Sequence, residues 1–183
     1  MTTADQKVNI QYIGVIILTV FLTWFVHEFV HWLTGELLGY KSSMRLNSTA
    51  YLEDEPLPGE KAIVSISGPI ITVLQAVVFY FLLKNKGWKK NFYPALITAF
   101  FMRLLAGGMN FIGPNDEARV GIYLGIGMHT ISLIFSVFMF VLVYKISKKH
   151  QLTRKFQLWT VLIMLLSITA LIFIDQFFKV RFI

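Results

Sequence analysis

Two histidines and a glutamate stand in this sequence at the spacing of a metal-dependent hydrolytic site. The run His27-Glu28-Phe29-Val30-His31 matches the pattern His-Glu-x-x-His. Residues four apart lie on one face of an α-helix, so His27 and His31 could bind one Zn²⁺ together. Glu28 could then reach a water beside the metal and act as a general base. The segment therefore predicts zinc-dependent hydrolysis, with two histidine ligands and Glu28 as the catalytic residue.

The third ligand of the predicted zinc site must come from elsewhere in the chain. Two histidines and a water leave a tetrahedral site one protein ligand short, and the chain has no cysteine. Asp116 is the first candidate, because Pro114 should interrupt the preceding helix and a new helix can then begin at Asp116. Glu117 is the near alternative, and helix capping is the structural alternative for Asp116. Glu36 lies about 180° around the helix from His27 and should point away from the site.

Packing alone could also account for two histidines on an apolar helix. A single buried histidine is most simply a core residue, but ionisable groups inside a membrane are costly and usually functional. Here His27, Glu28 and His31 fall within about one turn, near the end of a predicted membrane helix. This concentration favours a functional site over simple packing.

Long apolar stretches predict that most of the chain lies in a membrane. Hydrophobic residues make up 56% of the sequence and charged residues only 15%, against about 25% charged residues in soluble domains. Each stretch is near the roughly 20 residues that a helix needs to cross a bilayer. The predicted spans are Val8–His27, Ala62–Leu83, Asn91–Asn115, Val120–Tyr144 and Phe156–Ile174.

The fold class that follows is all-α: a polytopic membrane helix bundle with about five transmembrane helices. A single membrane-embedded domain should cover residues 1–183. We expect a possible short strand segment in Gly39–Tyr51, and we expect Asp116 to open the long fourth helix. The third span is interrupted only by Arg103, which should pair with Glu117 or another carboxylate.

The distribution of basic residues predicts the orientation in the membrane. Lysines and arginines collect in residues 84–90 and 145–155, and an even number of predicted crossings separates these two loops. Both loops and the N-terminus are therefore predicted to be cytoplasmic. We expect a multi-pass protein of the plasma (inner) membrane of a prokaryote, without a cleaved signal peptide. The net charge of +7 fits this orientation, and no nucleic-acid partner is expected.

In the order of its motifs the sequence resembles the site-2 protease family of intramembrane zinc metalloproteases. The His-Glu-x-x-His helix comes first. Gly68-Pro69 in the next span is similar to the family's Gly-Pro turn of helix. The stretch Asn110…Pro114…Asp116 is similar to the family's Asn-Pro-Asp-Gly region, which supplies the third zinc ligand. The resemblance covers roughly residues 15–130.

The resemblance also implies how a substrate would bind. Gly68, Pro69, Thr72 and Asn110 are the expected substrate-binding residues, with Thr72 at the position where the family usually has Asn. Pro69 removes a backbone donor and kinks the helix, and a glycine beside it would let a substrate backbone approach. A simple helix bend is the alternative. The segment Gly39–Tyr51 resembles the family's docking edge for an unwound substrate, and a plain surface loop is the alternative.

The predicted function is a zinc metalloendopeptidase that cleaves membrane-spanning or juxtamembrane segments of a membrane protein or peptide. The expected partners are this substrate and the lipid bilayer, and the oligomeric state is open. A catalytically inactive member of the fold, acting as a binding or chaperone-like partner, is the alternative. The presence of Glu28 argues against it, because an inactive site has no use for a base. A haem carrier would bind the haem between histidines on two facing helices, whereas His27 and His31 lie on the same helix.

Overall fold

The computed structural model describes residues 5–179 and 181–183, and these residues form a helix bundle with one small sheet. The all-α prediction is confirmed. The elements are α1 (Ile10–Leu37), β1 (Ser42–Met44), β2 (Thr49–Tyr51), α2 (Pro58–Asn85), α3 (Tyr93–Met109, preceded by a 3₁₀ turn), α4 (Asp116–Tyr123), α5 (Thr130–Lys149) and α6 (Arg154–Phe178).

Among the described residues, five helices are long and apolar enough to cross a membrane, namely α1, α2, α3 with its 3₁₀ turn, α5 and α6. Their outward faces carry large apolar side chains such as Leu18, Ile70, Phe138 and Leu166. Lipid can cover such a surface, whereas water would penalise it. The chain is a membrane protein with a multi-pass helical architecture.

The fourth predicted helix differs from the expectation. The prediction of one continuous helix that begins at Asp116 is wrong, because α4 ends at Tyr123 and α5 begins only at Thr130. Gly125 and Gly127 lie between them with φ of 69° and 89°. Glycine adopts this left-handed conformation easily. A residue in that conformation ends a right-handed helix, so α4 and α5 are separate. Asp116 therefore opens a short helix that does not itself span the membrane.

One face of α1 provides both the core and the predicted ligands. Tyr12, Ile16 and Val20 are buried at a spacing of four residues, which places them in one stripe along the helix. His27 and His31 are also buried on this helix, farther along the chain. Helix α1 packs against α2, α3 and α6. The packing that buries the apolar stripe thus also turns the histidines into the bundle.

The two lysine-rich loops meet at one end of the bundle, as predicted. His150 Nε2 lies 3.0 Å from the Leu83 carbonyl oxygen, which joins the loop after α5 to the end of α2. Trp88 Nε1 donates to the Asp5 carbonyl at 2.7 Å, which brings the chain before α1 to the same end. Residues 1–4, which carry the predicted cytoplasmic N-terminus, lie outside the described residues.

The opposite end of the bundle carries the small sheet. Strands β1 and β2 form an antiparallel hairpin in which Ser43 faces Ala50, so the short strand segment predicted after the first helix is confirmed. The chain near its end covers the far side of β1, where Phe182 N donates to the Met44 carbonyl at 2.9 Å. The second edge of the hairpin belongs to β2, and it borders the predicted site.

Candidate metal centre

The three predicted metal ligands converge at the hairpin end of the bundle. One ligand atom from each of His27, His31 and Asp116 lies within 4.8 Å of the others. Asp116 Oδ2 is 3.3 Å from Nε2 of each histidine, and the two Nε2 atoms are 3.1 Å apart. In a tetrahedral zinc site with bonds of about 2.0–2.2 Å, neighbouring ligand atoms stand about 3.3–3.6 Å apart. The spacing of the three atoms is close to that of a metal centre.

The other nitrogen of each imidazole fixes which nitrogen faces Asp116. Thr72 Oγ1 donates to the Gly68 carbonyl at 3.0 Å, so this oxygen accepts the hydrogen bond from His27 Nδ1 at 3.1 Å. His31 Nδ1 donates to the Val64 carbonyl at 2.7 Å. Both neutral imidazoles then carry their proton on Nδ1 and turn the Nε2 lone pair inward. Such outer partners orient histidine ligands in metal sites.

Gly68 allows helix α2 to pass directly beneath the histidines. A Cβ atom at this position would lie 2.3 Å from His31 Nε2 and 2.6 Å from His27 Cε1. Neither contact is sterically possible without displacing an imidazole. The glycine is therefore required for the close approach of two helices, and the two ligands could not occupy these positions beside any larger residue.

Asp116 reaches the histidines because the chain turns sharply just before it. Asn115 N donates to Asn110 Oδ1 at 3.2 Å, and Asn110 Nδ2 donates to Ser132 Oγ at 3.1 Å. Asn115 also donates through its side chain to the Ala106 carbonyl. These bonds hold the first turn of α4 against α3 and α5.

Asp116 could serve as a metal ligand in its ionised form, because a metal ion binds the deprotonated carboxylate.

The neighbouring acid, Glu117, has a different partner. Its Oε1 accepts a hydrogen bond from Arg103 Nη1 at 2.8 Å, and both side chains are buried. The predicted pairing of Arg103 with Glu117 is confirmed. The structure thus brings Asp116, and not Glu117, beside the two histidines.

Glu28 lies beside the cluster, outside the group of three ligand atoms. Its Oε2 accepts a hydrogen bond from Thr49 Oγ1 at 3.3 Å, and the same hydroxyl lies 3.2 Å from the Glu28 carbonyl oxygen. Thr49 belongs to β2, so the hairpin contacts the predicted base directly. The sequence carries no signal for this contact, because it joins residues 21 positions apart through the fold of the hairpin.

A cavity of about 530 Å³ opens onto these residues. His27, Glu28 and Asp116 line it, and its walls come from the hairpin, α1, α2, α3, α4 and α6. A volume of this size suits a short segment of peptide. Asn47, Thr49 and Tyr51, from the segment predicted as a docking edge, also line the cavity, as does Arg103. Trp24 and Ser65 are lining residues that the sequence did not point to.

The residues expected to bind substrate do not line this cavity, and three of them contact other parts of the protein. Gly68 makes room for the histidines, and Thr72 orients His27. Asn110 holds the turn before α4. Pro69 is buried within α2, where it leaves the Ser65 carbonyl without the usual helical donor. Ser65 does line the cavity, so the carbonyl that Pro69 leaves without a helical donor belongs to a residue at the site.

Comparison with protein-family models, curated proteins and solved structures finds no match. The metal centre is inferred from the geometry of the chain's own residues. Two oriented imidazoles and one carboxylate lie together beside a cavity at the hairpin end of the helix bundle.

Proposed function

We propose that the chain is an intramembrane zinc metalloprotease of the kind found in the site-2 protease family. His27, His31 and Asp116 are the zinc ligands, and Glu28 is the general base. The observation that carries the proposal is the convergence of two Nε2 lone pairs and one carboxylate oxygen at 3.1–3.3 Å. Three such acceptors repel one another unless a cation lies between them.

Zinc fits the set of donors. Two imidazoles and a carboxylate are the protein ligands of many catalytic zinc sites, which keep one position open for water or substrate. When bound, zinc would supply a Lewis acid that polarises the substrate carbonyl and makes a water acidic near neutral pH. Among the described residues, the group of possible metal ligands consists of His27, His31 and Asp116. Three protein ligands would leave the fourth position of a tetrahedral zinc ion open for water or substrate.

Glu28 performs the proton transfers of the proposed reaction. It accepts a proton from the attacking water as the water oxygen bonds to the carbonyl carbon of the peptide. When the carbon–nitrogen bond breaks, Glu28 returns the proton to the departing nitrogen. The products are one carboxylic acid, which keeps the second hydrogen of the water until it ionises, and one amine. Thr49 Oγ1, at 3.3 Å from Glu28 Oε2, keeps the base in position through this cycle.

The free edge of β2 is the proposed docking site for substrate. Leu52 N donates to the Lys41 carbonyl at 2.9 Å, and hydrogen-bonded pairs alternate along an antiparallel ladder. The main-chain groups of Thr49 and Tyr51 therefore point away from β1, and both residues line the cavity. A substrate added at this edge would satisfy its own backbone while its helix is unwound.

The proposed location is the plasma (inner) membrane of a prokaryote, with the lysine-rich end in the cytoplasm. The clustering of both lysine-rich loops at one end of the bundle supports this orientation. The metal centre then opens toward the extracytoplasmic side.

Cleavage of a membrane-spanning peptide by the purified protein in detergent micelles tests the proposal. Wild-type protein should cleave the peptide, and a zinc chelator should stop the reaction. Glu28→Gln should also abolish cleavage while zinc stays bound, because Glu28 is not a ligand. A chain that binds substrate peptides but cleaves none of a varied set would instead be an inactive binding protein.

A further inference from the structure

One buried arginine, Arg103, lies in the wall of the cavity. A charged side chain within a membrane helix is unfavourable in free energy, which suggests that it has a function. Arg103 is the only charged residue of α3, and its side chain is just 2% exposed. It lines the same cavity as His27, Glu28 and Asp116. Charged groups within membrane helices are rare and are usually retained for a function.

The ion pair with Glu117 uses only part of the guanidinium group. One hydrogen bond of 2.8 Å joins Arg103 Nη1 to Glu117 Oε1, although an arginine has five N–H donors. Among the described residues, Arg103 Nε and Glu117 Oε2 are buried without any hydrogen-bond partner. A pair with a purely structural role would gain most from two parallel hydrogen bonds. The observed pair therefore leaves hydrogen-bond donors unused on a residue that lines the cavity.

The charge of the pair suits a site where negative charge appears only during reaction. Glu117 neutralises Arg103, so the pair does not hold a strong anion in the resting protein. The guanidinium group nevertheless keeps N–H donors that Glu117 does not use, and Arg103 lines the cavity. Donors of this kind stabilise an oxygen that becomes negative in the transition state far more than they stabilise the neutral carbonyl.

We propose that Arg103 is a further catalytic residue, which donates hydrogen bonds to the carbonyl oxygen of the scissile peptide as negative charge develops there. Glu117 is a positioning residue, because it holds the guanidinium in place from the turn of α4 that also carries Asp116. This role rests on the proposed peptidase function. It also implies that the cavity binds tetrahedral, anionic mimics of the reaction, such as phosphinic peptides.

Two variants separate catalysis from folding. Arg103→Lys keeps a positive charge opposite Glu117 but loses the planar fork of donors. Arg103→Met combined with Glu117→Met removes both charges together, so that neither is left buried alone. Arg154→Lys, at the lysine-rich end of the bundle, is the matched control. For each protein, zinc content, kcat, KM and the affinity for a phosphinic peptide are measured.

Both Arg103 variants should keep their zinc and a near wild-type KM, while kcat falls roughly 100- to 1,000-fold. Affinity for the phosphinic peptide should fall with kcat. Wild-type kcat and phosphinic-peptide affinity in either variant would overturn the inference. So would loss of zinc from both variants, since the pair would then serve only to build the metal centre. A wild-type protein that binds no zinc, or that binds zinc but cleaves no peptide, would instead overturn the proposed function, and this inference with it.

Discussion

Gly68 lies so close to His31 that a Cβ atom at position 68 would fall 2.3 Å from the imidazole Nε2. The contact couples the backbone of α2 to the face of α1 that carries His27 and His31. It also makes the glycine a requirement for the arrangement of the proposed metal ligands, independent of any substrate.

Gly68→Ala should therefore weaken zinc binding, because the new methyl group must displace one imidazole or push the two helices apart. Overpacking of this kind typically costs about 1–3 kcal/mol, which corresponds to a loss of affinity of roughly five-fold to more than a hundred-fold. Competition with a chelator measures the affinity. Gly14→Ala is the control, since nothing lies within 4 Å of a Cβ there. Equal zinc affinity in both variants would show that the close contact has no consequence for the metal.

Thr72→Val should also weaken zinc binding, through His27. The substitution keeps the shape of the side chain but removes the oxygen that accepts from His27 Nδ1 at 3.1 Å. Loss of an outer partner of a histidine ligand typically costs about 10- to 100-fold in metal affinity, and Thr72→Ser should restore most of it. Thr98→Val is a matched control, because Thr98 is buried and its hydroxyl has no partner among the described residues. A Thr72→Val protein with wild-type affinity would rule out this orienting role.

The two adjacent acids of α4 should respond to substitution in different ways. Asp116→Asn should lose zinc, because a neutral amide is a poor replacement for the carboxylate ligand. Glu117→Gln should keep zinc but lower the free energy of unfolding by about 3–5 kcal/mol, because it leaves Arg103 charged and unpaired in the interior. Metal analysis and denaturant unfolding of both purified variants make the comparison. Zinc loss from Glu117→Gln together with full zinc in Asp116→Asn would reverse the assignment.

The orientation is testable by labelling, because the chain has no cysteine of its own. Lys86→Cys and Asp54→Cys place single thiols in exposed loops at opposite ends of the bundle. In intact cells, a thiol reagent that cannot cross the membrane should label position 54 but not position 86. Labelling of position 86 alone would invert the orientation and make the metal centre open toward the cytoplasm.

The sequence was most informative where a short-range pattern decides the structure. The spacing of His27 and His31 requires only helical periodicity, and the membrane spans require only length and composition. The choice between Asp116 and Glu117 was harder, because consecutive residues of a helix point about 100° apart. It depends on how α4 enters the bundle, and that is set by the hydrogen bonds of Asn110 and Asn115.

Long-range contacts account for what the sequence did not reveal. The break between α4 and α5 depends on Gly125 and Gly127, but glycines are common in unbroken membrane helices as well. Thr49 touches Glu28 only because the hairpin folds back on α1. Thr72 was expected in the substrate site, and a family motif alone cannot distinguish a residue that touches the substrate from one that supports a ligand.

We propose that His27, His31 and Asp116 together bind one zinc ion. Quantification of zinc in purified wild-type protein and in the His27→Ala variant tests it most directly, with His129→Ala as a control on an exposed histidine outside the cluster. We expect one zinc ion per chain in the wild-type protein and the control, and a loss of zinc from His27→Ala. A wild-type protein without zinc, or a His27→Ala protein that retains it in full, would show that these three residues do not form a zinc site.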